Sequence, residues 1–233
     1  MRVLALDTAT EACSVALLDG SSLIGRYEEP GRGHAAQILG MVDAVLAQAG
    51  VSLSMLDGIA ASIGPGAFTG VRISVAAAQG LAFGAGLRVV GVSTLEALAM
   101  RALDDGAGGV LACLDARMGE VYWGCYAADP RIGVRAFAPP RVGAAGSVHL
   151  PAARAGSSAW RGIGRGFAAY PELGRLAGLT VDPADAAALP NARDMARLGA
   201  LRLSAGEGVD PAGLEPLYLR DKVALTEAER GVK

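Results

Sequence analysis

The chain is expected to fold as two α/β lobes, each a mixed β-sheet flanked by helices. Three features predict this. Strands alternate with helices, yet the chain opens on an antiparallel hairpin, and that combination gives mixed sheets. A glycine-rich turn, Ser62-Ile63-Gly64-Pro65-Gly66-Ala67-Phe68-Thr69-Gly70, runs from a strand straight into a helix. The opening pattern then recurs in the second half of the chain.

Taken in order, Val3–Asp7 reads as a buried strand, residues 8–12 turn, and residues 13–18 return as a second strand. Asp19-Gly20 is a hairpin signal, followed by a third strand near residues 23–27. A helix is expected over His34–Ala49, with Gly50 ending it. A strand within residues 56–63 leads into the glycine turn, and a helix follows over about residues 69–83. Residues 88–92 form the next strand, and Ser93-Thr94-Leu95-Glu96 opens another helix in the manner of a capping box.

The repeat begins at Val110-Leu111-Ala112-Cys113-Leu114-Asp115. Residues 117–120 turn, and Val121–Tyr126 returns, so that Asp115 stands where Asp7 stood. Chance likeness between two apolar hairpins is the alternative. The repeat divides the chain into residues 1–106 and 107–233. Two such lobes around a cleft match the actin and sugar-kinase architecture, in which each lobe's first turn faces the phosphates of a nucleotide. An aspartate at a strand end orients a metal-bound water or a hydroxyl nucleophile, or it caps its own turn.

The glycine turn suits an anion, because glycine lets backbone N–H groups approach a ligand and a helix N-terminus favours negative charge. Thr69 is placed to cap the helix. Asp7, Thr8, Gly64, Gly66 and Thr69 therefore form a candidate phosphate site. The turn has no lysine and no Walker A spacing, and its glycines read GxGxxxG rather than the dinucleotide fingerprint. A tight turn with close helix packing is the other reading. Arg161-Gly162-Ile163-Gly164-Arg165-Gly166-Phe167 marks either the nucleoside side of the cleft or a flexible turn.

Composition sets outer bounds. The 233 residues are 52% hydrophobic and 19% charged, which fits a globular chain with a real core. A net charge of −2 gives no overall attraction to nucleic acid. Between Asp129 and Arg175, however, seven arginines (131, 135, 141, 154, 161, 165 and 175) face only Asp129 and Glu172. That stretch is either a phosphate-facing surface or a solvated one. The three cysteines, Cys13, Cys113 and Cys125, form no metal-binding pair and read as buried thiols in a reducing cytoplasm. The opening apolar run is too short for a signal peptide, and the greasiest segment, residues 73–87, is broken by Ser74, Gln79 and glycines, so no membrane contact is expected.

The first two helices point to a partner. Ile38, Val42, Val45 and Ala49, with their apolar neighbours, cover more than one face of the first helix. Ala76, Gly80 and Gly84 recur every four residues on the second, a spacing that lets another helix approach closely. Packing on the lobe's own sheet must take at least one face of each.

Several segments together resemble the TsaB (YeaZ) family. These are residues 4–17 (LALDTATEACSVAL), 64–73 (GPGAFTGVRI), 91–95 (GVSTL), 114–122 (LDARMGEVY) and 215–220 (EPLYLR), all in the family's order. The resemblance implies a two-lobed actin-like ATPase (ribonuclease H-like) fold. It also implies a role in making N6-threonylcarbamoyladenosine at position 37 of tRNAs that read ANN codons. On that reading the chain is a non-catalytic scaffold that dimerises with itself or with its paralogue TsaD, the transferase. The small ATPase TsaE joins the complex, TsaC-type enzymes supply the adenylate, and tRNA is met through the complex in the cytoplasm. The catalytic relatives hold a metal with two histidines four apart on the first long helix. Here His34 is followed four residues later by Ile38, and His149 lies in the other half, so no metal site and no required cofactor are expected, with weak ATP or ADP binding at most. The competing classes are an actin-fold ATPase or small-molecule kinase acting alone, for which Asp7 and the glycine turn speak, and a metalloprotease.

Overall fold

Strand β1 (Arg2–Asp7) is covered from Val3 onward, and β2 (Cys13–Asp19) returns beside it in register from Arg2↔Asp19 to Asp7↔Ser14. A run buried on both faces needs helices on both sides of its sheet. The side chains divide accordingly. Val3 and Ala5 point into one core and Leu4 and Leu6 into another, as the two-residue strand period requires. The computed structural model describes residues 1–30, 33–151 and 160–220.

Gly20 turns β2 into antiparallel β3 (Ser22–Glu28). Helix α1 (His34–Ala49) ends at Gly50, which takes the left-handed conformation at φ 68°. Strand β4 (Gly58–Gly64) pairs parallel to β1, α2 (Phe68–Ala85) follows, and β5 (Val89–Ser93) pairs parallel to β4. The first sheet therefore runs β3-β2-β1-β4-β5.

Helix α3 (Thr94–Asp104) carries the expected capping box. The Ser93 hydroxyl accepts from Leu95 N–H, and the Glu96 carboxylate accepts from Ser93 N–H. Then come β6 (Gly109–Arg117), β7 (Glu120–Asp129), β8 (Gly133–Ala136), β9 (Arg141–Ala144) and β10 (Trp160–Ile163). The short α4 (Gly166–Ala169), β11 (Leu179–Thr180), α5 (Pro183–Ala186) and finally α6 (Ala192–Ser204) complete the regular elements. The second sheet runs β11-β10-β6-β7-β8, with β9 also on β7. Read from its far edge, it has the partnerships of the first sheet: antiparallel, antiparallel, parallel, parallel.

Helices α1 and α2 cover the outer face of the first sheet. Helices α3 and α6 lie between the sheets and join them in one core, in which Leu95, Leu98, Met195 and Leu198 meet Val3, Ala60, Val110 and Ile163. So α6, read with residues 107–233, packs on the sheet of residues 1–106. A buried ion pair fixes it there. Arg202 donates to the Gly91 carbonyl at 3.0 Å and pairs with Glu96 at 2.8 Å.

Two expectations are corrected. Thr69 does not cap α2: the N-cap is Ala67, which makes no side-chain cap bond, and Thr69 lies inside the first turn and exposed. Ile38, Val42 and Val45 do not present a second face on α1. All three are buried in the chain's own core, with Met41 and Leu46. Of the apolar positions on α1 that suggested a second face, Leu39 is exposed and Ala49 half-buried, and the others face the core.

Removing Arg202 takes the guanidinium from a largely buried Glu96 carboxylate, which keeps its bond from Ser93 N–H. Arg202→Ala should lower stability by about 3 kcal/mol. Arg197→Ala, which breaks only the exposed pair with Asp104, should cost about 0.5 kcal/mol. Urea unfolding of both variants measures the difference, and equal costs would contradict the buried role.

Candidate functional site

A cleft of about 920 Å³ opens between the lobes. Thr8, Gly66 and Thr69 line it from the first lobe, and Asp115, Arg117 and Arg165 from the second. Residues 214–220 run along one side as a strap. Leu217 N–H donates to the Ile63 carbonyl at 2.7 Å, and Gln79 on α2 donates to the Leu214 carbonyl.

The glycine turn is closed against the chain itself. A Cβ at Gly66 would lie 2.1 Å from the Ala9 carbonyl oxygen, and one at Gly70 would lie 2.1 Å from that of Thr8. Neither distance is sterically allowed, so both glycines are required by close approach. Ala67 N–H donates to the Ala9 carbonyl at 2.7 Å, and Thr8 Oγ1 donates to the Gly70 carbonyl at 2.7 Å. Ser74 Oγ, one turn further along α2, donates to the Leu6 carbonyl. Of the two readings of this turn, tight packing is what the geometry shows. The second lobe repeats it, with Gly164 pressed on the Cys113 carbonyl and Gly166 on the Cys113 sulfur. The segment 161–167 is thus the end of β10, a fixed turn and the start of α4, and it is not a loose loop.

Asp7 is fully buried and does not line the cleft. Its Oδ1 accepts from Ala9 N–H at 2.9 Å, and Oδ2 has no hydrogen-bond partner. Asp115 does the same for its own turn, accepting from Arg117 N–H at 2.8 Å. The two aspartates are therefore equivalent turn caps. Burial pushes the Asp7 carboxyl above the ordinary carboxylate range. The Ala9 N–H, the nearby Ser62 hydroxyl and the His34 imidazole oppose that shift without cancelling it. Gly64 sits behind the cleft wall against Val71 and the Leu217 carbonyl. Of the five candidate phosphate residues, the structure brings Thr8, Gly66 and Thr69 to the cleft and leaves Asp7 and Gly64 behind it.

His34 lines the cleft at the start of α1, and its Nε2 is buried without a partner. Ile38, four residues on, points into the core. His149 lies in the second lobe, edge-on to Trp123. Among the described residues, no three His, Cys, Asp or Glu side chains are placed to share a metal. The cysteines are all buried, and desolvation pushes Cys13 up to about 11 and Cys125 up to about 12.

Four arginines of the stretch enter ion pairs, while Arg141 and Arg175 are exposed and carry no ion pair among the described residues. Arg161 pairs with Asp185 and Asp105, Arg165 with Glu29, Arg131 with Glu207 and Arg135 with Asp129. In those pairs acids from distant parts of the chain supply most of the opposing charge. Arg154 lies outside the described residues.

The outward side of α2 is the exposed apolar feature. Ala76, Gly80 and Gly84 are all exposed, and Phe83 beside them is 83% exposed. A Cβ at Gly80 or Gly84 would touch nothing within 4 Å. Helix α1 adds Leu39 and Gly40 on its outer side, while Ala49 is half-buried. At the N-terminal end of α2, Arg72 stacks on Phe68 and faces Tyr218 of the strap. Sequence reasoning missed this cluster and the strap's role. The hint was Tyr218 and Arg220 in a segment otherwise assigned no purpose.

Two sheets of like topology around a cleft define a protein of the actin-like, ribonuclease H-like class. Residues 28–135 match the family described as TsaD: tRNA N6-adenosine threonylcarbamoyltransferase. The chain is 42% identical to the tRNA threonylcarbamoyladenosine biosynthesis protein TsaB of Escherichia coli K12, covering 96% of both chains. It is 38% identical to the Haemophilus influenzae protein of the same name, over 96% of this chain and 95% of that one. It superposes on the solved structure of YeaZ from Pseudomonas aeruginosa with a TM-score of 0.84 at 42% identity, covering 94% of this chain and 99% of that one. The chain belongs to the TsaB (YeaZ) family.

Two outcomes test the sealed turn. Gly66→Ala should destabilise the fold by at least about 2 kcal/mol in chemical denaturation, because a backbone carbonyl has to move. A wild-type midpoint would show that the turn is open. The second outcome concerns Asp7. Its raised pKa means that the folded chain holds the proton more tightly than the unfolded chain. Its contribution to stability is therefore greatest in acid and is lost as pH rises above the unfolded value toward the folded one. Asp7→Asn keeps the bond from Ala9 N–H and removes that loss. Its advantage in melting temperature should grow as pH rises above about 4, the ordinary value of the unfolded carboxyl, and a constant difference would contradict the burial argument.

Proposed function

We propose that this chain is a subunit of the apparatus that makes N6-threonylcarbamoyladenosine in tRNA. Whole-length likeness to TsaB proteins supports that reading. On its own the chain is a scaffold and carries out no chemistry. Its partner is the paralogous transferase TsaD, and TsaE joins the assembly. In the absence of TsaD the same face pairs with a second copy. Any nucleotide binding by the chain alone is weak, which the Thr8–Ala9 turn pressed into the glycine loop supports.

One observation carries the docking face. Gly80 sits in the middle of an 18-residue helix, where glycine costs about 0.5–1 kcal/mol relative to alanine. Nothing among the described residues requires it, since a side chain there would meet no described atom within 4 Å. A helix from another subunit, approaching at backbone distance, supplies the reason. Leu39 and Phe83 flank it with exposed apolar surface, and α1 and α2 lie side by side. The second reading, an independent ATPase or kinase, has only the cleft in its favour.

Light scattering on a sizing column, with the chain alone and with its host's TsaD, tests the pairing. Gly80→Arg should leave the melting temperature within a few degrees of the parent and weaken pairing with TsaD at least about tenfold. The threonylcarbamoyladenosine content of tRNA should fall in cells that depend on the variant. Undiminished pairing would remove α2 from the interface. A full nucleoside content in cells lacking the chain altogether would overturn the functional reading.

A further inference from the structure

Three arginines bridge the mouth of the cleft. Arg117, at the tip joining β6 and β7, pairs at 2.9 Å with Glu11 on the β1–β2 turn of the other lobe. Arg165, between β10 and α4, pairs at 2.7 Å with Glu29, just past β3. Arg220, at the end of the strap, donates to the Ala116 carbonyl at 3.1 Å and pairs with Glu120 on the β6–β7 hairpin. The strap's other end is tied to the first lobe through Leu217 and Ile63 and through the stack of Tyr218, Arg72 and Phe68. Each arginine thus joins one lobe, or the strap fixed to it, to the opposite lobe.

Arg117 is held for this contact. It and Met118 both take the left-handed conformation, at φ 64° and 57°, which residues with side chains adopt only where the surroundings impose it. Asp115 imposes it. One carboxylate oxygen accepts from Arg117 N–H and the other from its Nη1 at 3.0 Å, which leaves Nη2 for Glu11. The lobes consequently meet in two chemically distinct ways. At the base they share the apolar core around α3 and α6. At the rim they are joined by charge.

We propose that these three crossings form a clamp that fixes the width of the cleft without a ligand, so that the chain moves as one rigid body. Exposed ion pairs add little to folding, but open and closed forms of a hinge differ by a small free energy, and contacts made only in the closed form set the balance. The clamp concerns the cleft and does not depend on docking at α2, so it is tested on the isolated chain.

Spin labels at Ala36→Cys on α1 and Ala168→Cys on α4 report the width. Both positions are exposed, and the three native thiols are buried and resist labelling. With the labelled chain diluted into an excess of unlabelled chain, so that distances between copies do not contribute, pulsed electron resonance should give one narrow distance population. The triple variant Arg117→Ala, Arg165→Ala, Arg220→Ala should add a longer population at an unchanged circular dichroism spectrum. An unaltered distribution in that folded variant overturns the clamp. If the triple variant does not fold, sodium chloride decides, because it screens exposed pairs. A longer population at high salt in the parent supports the clamp, and an unmoved distribution overturns it.

Discussion

The first lobe depends on two positions at which no side chain is tolerated. At Gly66 and Gly70 the backbone leading into α2 lies directly on the carbonyls of Ala9 and Thr8. That contact brings the end of β4 and the start of α2 against the β1–β2 turn, and the hydrogen bonds from Ala67, Thr8 and Ser74 follow from it. The Ala9 carbonyl takes the Ala67 N–H at the start of α2, and Asp7 is buried behind the turn with one carboxylate oxygen unpaired. The turn and the start of α2 are thereby held as one wall of the cleft.

The second organising feature is the layer between the sheets. Helices α3 and α6 give their apolar faces to both sheets at once. The buried pair of Arg202 and Glu96 adds direction, because Glu96 also caps α3 through Ser93. One carboxylate thereby sets where α3 begins and where α6 lies.

Much of this was legible in the sequence wherever the determinant was local. Asp19-Gly20, Gly50 and the Ser93–Glu96 box marked their turns and helix ends because each acts within a few residues. The recurrence of Asp7 at Asp115 was legible for the same reason, since both cap a turn two residues on. What escaped notice was set by distance. Glu11 meets Arg117 across 106 positions, and the arginines after Asp129 find acids in other elements. The outward side of α1 was misjudged because Ile38, Val42 and Val45 were counted toward a second face, whereas all three face the core and Leu39 is the large apolar residue left exposed. Thr69 was a reasonable cap by residue type, but the close approach at Gly66 starts the helix two residues earlier, at Ala67.

The doubled strand path has an evolutionary consequence. Each half builds its sheet through the same order of partnerships and closes its turn with the same aspartate geometry. The contacts that seal the turns are made by backbone and by glycine, so they constrain few side chains. A duplicated ancestor of this form could lose the groups that act on a ligand, one substitution at a time, while its architecture stayed whole. The outer surface of α2 takes no part in those contacts, so its side chains could change without disturbing either turn.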